Sequence, residues 1–395
     1  MPLPLLGRRV HISGSIHKDP TVASRESVEA ARDFVRELVI ALMKDGATFV
    51  VPVDDEKPRE ADGLPFCFDW LILETIEANL RLSPREVQAS GEPLVVAVQH
   101  AKNVSQIPAD KQEVWDRLNE PADLLVVENA GHWSMNSKRL EIQAQHGDIL
   151  IVLGGTEGVL HLANLYHSTG RPVIPLPFAI HEEKSGARRL WDAALVSTET
   201  HRFFSVTGSQ SAHRVLNRLN LAPNKGTKER VEAMRFVLHS LSKPRAFAVR
   251  LLNPKHPEFN AVETFFEAVV KPVAEGFGYE LKTMERGEVE ESLMNTEIFR
   301  SVHFSRLVIA DTTGQRPNCF IELGYALAQG YPVMLCARER GKEEERIDRP
   351  FDIGPVPAHD WVAGDTPREA QRKFREYWIN NVRRPRIVET VPLVP

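Results

Sequence analysis

Cysteine is scarce in this chain: Cys67, Cys319 and Cys336 are the only three in 395 residues, far apart and without a CxxC spacing. That excludes a disulfide framework and a zinc site built on paired thiols, and it suits a reducing cytosol. The 14 histidines form no HExxH or HxH cluster, so no metal site is expected. Long apolar runs are missing too, and nothing approaches the roughly 18 residues of a membrane span. The short apolar start runs straight into Arg8 and Arg9, without the h-region of a secretion signal. Charge of one sign is also lacking, since 49 Lys and Arg face 54 Asp and Glu for a net charge of -5. That balance speaks against nucleic acid or an anionic membrane as partner. The expectation is a soluble, cytoplasmic protein.

What is there is a globular composition, 42% hydrophobic and 26% charged, on a chain long enough for two cores. Val10–Ile12 reads as a strand closing in a tight Ser13-Gly14-Ser15 turn. Ser24–Lys44 has helical apolar spacing, with Ser24 and Ser27 as candidate caps and Gly46 as the stop. Thr48–Val53 completes a βαβ opening, which implies a parallel sheet. The alternation continues to a strand at Pro172–Pro175, and the strand Asp148–Leu153 is apolar enough to be covered on both faces. Amphipathic helices follow at Arg188–Leu195 and Lys228–Leu241, and a second βα series runs from Phe247 to a closing helix at Pro367–Asn381. The fold class is α/β, with two open, mostly parallel Rossmann-like sheets in separate domains. The expected division is residues 1–180, a helical extension 181–244, and residues 245–395.

In the second series, a buried strand ends at Asp311, a Thr312-Thr313-Gly314 turn follows, and the helix predicted over Ile321–Gln329 places Glu322 in its first turn. Ligands of open α/β sheets bind outside the carboxyl ends of the strands. Two acids there can divide the work of glycosyl transfer: one holds sugar hydroxyls while the other attacks or stabilises C1′. The plain alternative is that Asp311 caps the turn and Glu322 answers the helix dipole.

The run IADTTGQRPNCFIELGYA resembles the nucleoside 2-deoxyribosyltransferase family and the related TIR-like nucleotide-binding proteins, and the likeness extends over roughly 245–340. The resemblance implies that Glu322 is the nucleophile on C1′ and Asp311 the sugar-binding acid, with Asn318, Thr313, Gly314 and the candidate phosphate contact Arg250 around the substrate. Asn318 stands where the transferases often carry a second Asp, which fits the TIR-like branch, some of whose members hydrolyse NAD.

The first half carries two glycine-rich strand ends, Ser13-Gly14-Ser15 and Gly154-Gly155-Thr156-Glu157-Gly158. Both suit a phosphate at a helix N-terminus, though neither is GxGxxG or a Walker A. Together with the helix bearing Lys138, Arg139 and Glu141, they resemble the SLOG superfamily, which includes LOG/DprA-like proteins and Sir2/TIR-associated sensor domains. In LOG enzymes the helix has a catalytic Arg where Lys138 stands, Glu141 matches, and Glu157 replaces a motif glycine. The resemblance implies nucleotide binding at these residues. With its C-terminal counterpart it implies a nucleotide-gated N-glycosidase, with NAD as substrate rather than cofactor, acting in antiphage defence as a homo-oligomer. A deoxyribosyltransferase and a non-catalytic sensor with two pockets stay open as alternatives.

Overall fold

The computed structural model describes residues 3–55, 57–100, 106–121, 124–131, 135–219, 225–284, 294–339, 353–354, 356–382 and 391–394. The chain divides into two compact units, one of residues 1–242 with 390–395 and one of residues 243–389.

In the first unit the elements run β1 (Arg9–Ser15), α1 (Arg25–Lys44), β2 (Thr48–Pro52), α2 (Asp69–Ala78), α3 (Arg85–Ala89), β3 (Val95–His100), α4 (Gln112–Asn119) and β4 (Leu125–Ala130). They continue through α5 (Met135–His146), β5 (Ile149–Gly154), α6 (Glu157–Ser168), β6 (Val173–Leu176), α7 (Gly186–Leu195), α8 (Thr200–Phe203), α9 (Ala212–Leu216) and α10 (Thr227–Ser240). The six strands form one parallel sheet in the order β4-β3-β2-β1-β5-β6. The chain therefore winds outward from β1 to β4, then restarts at β5 on the other side of β1. The loops after β1 and β5 leave in opposite directions, and this switch point opens a crevice between their C-terminal ends.

The sequence explains the layers. Every residue of β2 and β5 is buried, as expected of strands covered by helices on both faces. In α1, Val28, Ala31, Val35, Leu38, Val39 and Leu42 line one stripe and are fully buried. Such side chains contribute about 1.5–3 kcal/mol each when removed from water. Ser24 caps the helix by accepting the Ser27 N–H, and Gly46 ends it with φ of 85°. One expectation is revised: Ser13–Ser15 is strand, not turn, because β1 stays paired with β5 as far as Ser15 opposite Gly154. The tail expected over 387–395 is irregular where it is described, yet Leu393 and Val394 are buried in the first unit's core. Leu393 N–H donates to Asn164 Oδ1 at 2.8 Å and anchors the tail there.

The second unit holds β7 (Arg245–Val249), α11 (Phe259–Phe265) leading through a π-helical turn to α12 (Lys271–Gly276), β8 (Glu280–Thr283), α13 (Met294–His303) and β9 (Leu307–Asp311). Then come α14 (Pro317–Ala328), β10 (Val333–Arg338), β11 (Ala358–Trp361) and α15 (Pro367–Asn381). The helix expected over 288–301 lies partly outside the described residues. The parallel order β11-β10-β9-β7-β8 puts the switch point between β7 and β9. On one face, Phe265 stacks on Trp361 with centroids 4.6 Å apart, and Phe277 stacks on Trp378 at 5.5 Å. Strand β11 went unforeseen, for its four residues AHDW offer too short a pattern.

Candidate functional site

At the β1/β5 crevice, backbone comes unusually close to backbone. A Cβ on Gly14 would sit 1.8 Å from the Leu153 carbonyl oxygen, so only glycine lets β1 lie this tightly on β5. Gly154 and Gly155 turn the chain with φ of 60° and 74°, in the left-handed region that favours glycine. The Gly155 N–H donates to Ser15 O at 2.9 Å and clamps the two turns together. Thr156, Glu157 and Gly158 follow at the surface, where α6 starts. The Val159 and Leu160 N–H groups bond back to Thr156 O at 3.1 and 3.3 Å, and those of Glu157 and Gly158 ahead of them are the donors a helix N-terminus offers an anion. Ser13, Gly14, Ser15, Gly154, Gly155, Thr156 and Glu157 are thus brought to one edge.

The residues expected on α5 part company. Lys138 spends its charge on Glu141, 3.1 Å away along the same partly exposed helix face. Arg139 instead reaches across to Asp54, just beyond β2, with Nη1 donating to Oδ2 at 2.6 Å. His100 Nε2 lies 3.7 Å from the same carboxylate oxygen, and the Trp70 indole N–H donates to the Asp54 carbonyl at 3.0 Å. Burial pushes the Asp54 carboxyl up, but the Arg139 hydrogen bond, the Asp55 N–H and the nearby Arg139 and His100 charges outweigh it, so Asp54 is held below the usual carboxylate range. Because β2 is the parallel neighbour of β1, Asp54 stands at the same sheet edge as the glycine turns. Sequence reasoning missed it. The clue was an apolar strand ending on an acid, Val51-Pro52-Val53-Asp54, the same pattern that singled out Asp311.

At the edge of the second unit, Asp311 is fully buried. Its Oδ1 accepts the Thr313 N–H at 2.9 Å and its Oδ2 accepts the Trp361 indole N–H at 2.8 Å. Both oxygens are engaged by the protein, so the carboxylate expected to hold sugar hydroxyls is here a clamp on the turn and on β11. Burial raises its pKa to about 6 against the pull of those hydrogen bonds. Glu322 also departs from expectation. Helix α14 begins at Pro317, four residues earlier than the apolar spacing indicated, which moves Glu322 from the first turn to the second. The helix dipole fades beyond the first turn. Burial accordingly prevails and pushes Glu322 up to about 7, opposed by Arg316.

Burial first, and then the charge of Glu322, push the Cys319 thiol up to about 12. Asn318 is exposed four residues before Glu322, on the same face of α14. Arg250, expected to meet phosphate, is paired with Glu263 and sits over the Phe266 ring at 5.5 Å. The Thr313 hydroxyl accepts the Arg338 N–H at 2.8 Å, while Gly314 with φ of 77° lies against the His256 ring.

A family model described as ATP nucleosidase Cap17-like, N-terminal, matches residues 5–238, more than half of the 395-residue chain. The chain belongs to this family. No curated protein matches it. Membership places the chain among nucleosidases, which break the bond between a sugar C1′ and a base nitrogen. The matched span coincides with the six-stranded sheet and its crevice. Such a reaction passes through a cationic, oxocarbenium-like sugar, so it needs a carboxylate that stays ionised and a donor set for the phosphates. Asp54 and the N-terminus of α6 stand at one edge of this sheet. Among the described residues no cluster of His, Cys, Asp and Glu could hold a metal ion, and no helix is long and apolar enough to cross a membrane.

Proposed function

We propose that this chain hydrolyses the N-glycosidic bond of a purine nucleotide, ATP first, at the C-terminal edge of the six-stranded sheet. The observation that carries this reading is the family match itself, because residues 5–238 contain the crevice of Gly14, Gly154 and Gly155 and the ionised Asp54 beside it. The phosphates would rest on the N-terminus of α6. Asp54, kept charged by Arg139, would stabilise positive charge at C1′ and steer a water to it. The C1′–N bond breaks with its electron pair leaving on the base. Water supplies the new C1′–O bond, and its proton ends on the base. The products are adenine and ribose triphosphate.

A second reading keeps the chemistry in the other unit, and Glu322 favours it, since a carboxyl raised to about 7 is poised to exchange protons near neutral pH. There the resemblance to deoxyribosyltransferase-like and TIR-like proteins applies. NAD is the substrate, a nucleotide signal at the first unit is the gate, and the setting is antiphage defence by a homo-oligomer.

Chromatography of ATP, NAD and paired deoxynucleosides, each with and without cyclic ADP-ribose, separates the readings in wild type, Asp54→Asn and Glu322→Gln. Adenine released from ATP and abolished in Asp54→Asn supports the first. Nicotinamide released from NAD and abolished in Glu322→Gln supports the second, and base exchange between deoxynucleosides marks a transferase. Ligand binding with no released base in any arm leaves a pure sensor and sinks both enzymatic readings.

A further inference from the structure

Two histidines that the proposed reaction leaves unused meet beside the β1/β5 crevice. His17 lies two residues past β1 and His181 five past β6. Backbone contacts hold both loops against the glycine turns. The His17 N–H donates to Ile180 O at 2.8 Å, and the Ile180 side chain packs where Gly154 lacks one, 3.1 Å from an added Cβ. Gly186 opens α7 so close to the same turn that a Cβ there would sit 2.0 Å from Gly155 O. The two imidazoles meet edge to face, with centroids 4.9 Å apart.

Backbone N–H groups favour one tautomer in each ring. His17 Nδ1 accepts the Asp19 N–H at 3.1 Å, and His181 Nδ1 accepts the Glu182 N–H at 2.9 Å beside the Ser185 hydroxyl at 2.8 Å. A backbone N–H can only donate, so neither neutral ring carries its proton on Nδ1, and both carry it on Nε2. Burial, and then the neighbouring His17, hold His181 below the ordinary imidazole value and keep it a neutral donor. His181 Nε2 makes no hydrogen bond among the described residues. His17 Nε2 lies 3.5 Å from the Glu182 carboxylate, whose side chain is 63% exposed.

We infer that His17 and His181 are a pair of fixed Nε2–H donors for the phosphate oxygens of a nucleotide seated on Gly154 and Gly155, and that they make the site prefer nucleotides to nucleosides. The inference rests on the reading of the first unit as the nucleotide-cleaving site. The two histidines are positioning residues, for they act on the phosphates and not on the reacting C1′.

The test is calorimetric titration of the full chain with ATP and with adenosine, joined to steady-state adenine release, for wild type, His17→Ala, His181→Ala and His181→Gln. Each alanine variant is expected to bind ATP about tenfold more weakly or worse, as for a lost hydrogen bond to a charged group, while adenosine binding stays level. KM for ATP rises and kcat stays within about twofold. His181→Gln, whose amide N–H falls near the lost Nε2, recovers most of the affinity. Alanine variants that bind ATP like wild type overturn the inference, as does an equal loss for ATP and adenosine, which marks a merely structural loop. Wild type that binds ATP through these donors but releases no adenine defeats the reaction and leaves the donor pair standing. Adenine release with KM unmoved in both alanine variants does the reverse, and wild type that does not bind ATP defeats both.

Discussion

Each unit brings an apolar strand of a parallel sheet to an aspartate, Asp54 after β2 and Asp311 at the end of β9, and the two acids are shifted in opposite directions. Asp54 is partly exposed and tied to the Arg139 guanidinium, which holds it ionised. Asp311 is sealed from solvent and offered only neutral donors, so its proton is held up to about 6. The contrast teaches that a strand-end acid is not a site in itself. A cation within hydrogen-bond reach makes one available for charge stabilisation. An indole and a backbone amide make the other a structural clamp. The basic residues do not differ in this way, as Arg139 and Arg250 are each paired with a carboxylate, Asp54 and Glu263.

The sharpest way to break the comparison is to remove each charge in turn. Asp54→Asn is expected to lower kcat for adenine release by about 10²–10⁴, the usual scale for loss of a catalytic carboxylate, with a smaller loss of stability at neutral pH as the pair with Arg139 is broken. If that variant keeps full activity, Asp54 is an ordinary ion-pair partner and the two acids no longer differ in kind. The opposite pattern is expected of Asp311→Ala. It orphans the Trp361 indole N–H and the Thr313 N–H, at a cost of about 2–5 kcal/mol in urea unfolding.

A pH series sharpens the same point. A carboxyl whose folded pKa is raised contributes most below its unfolded value and loses that contribution as pH climbs through the folded value. Relative to Asp311→Asn, wild type should therefore lose up to about 3 kcal/mol as pH rises from the ordinary 3.8 to about 6. Asp54, held low, has the opposite slope, with stability present above its ordinary value and lost as pH falls. Unfolding curves that show one slope for both variants would erase the distinction. The smallest effect belongs to Lys138→Ala, whose exposed pair with Glu141 is worth about 0.5 kcal/mol or less. Adenine release should hardly move, in contrast with Arg139→Ala, which frees Asp54 and should slow it severalfold.

Much of this architecture was legible because it is written in local pattern. The stripe from Val28 to Leu42 and the cap at Ser24 specify α1, and Gly14, Gly154 and Gly155 mark where chain must pass chain without a Cβ. Helix α14 was misread by four residues because Pro317 is a good first helical residue but carries no apolar period, and Glu322 shifted by a turn with it. The partnership of Asp54 with Arg139 was invisible, since 85 residues separate them.

The sequence alone determined two parallel α/β sheets, the strand ends where glycine is required, and a set of acids and bases near those ends. Only the tertiary structure decided which of them are paired, buried or open to a ligand. Periodicity and turn chemistry act over a few residues, whereas the state of a carboxylate depends on burial and on whichever donor the fold delivers from a distant strand or helix. For Asp311 that donor came from Trp361, and for Asp54 from Arg139.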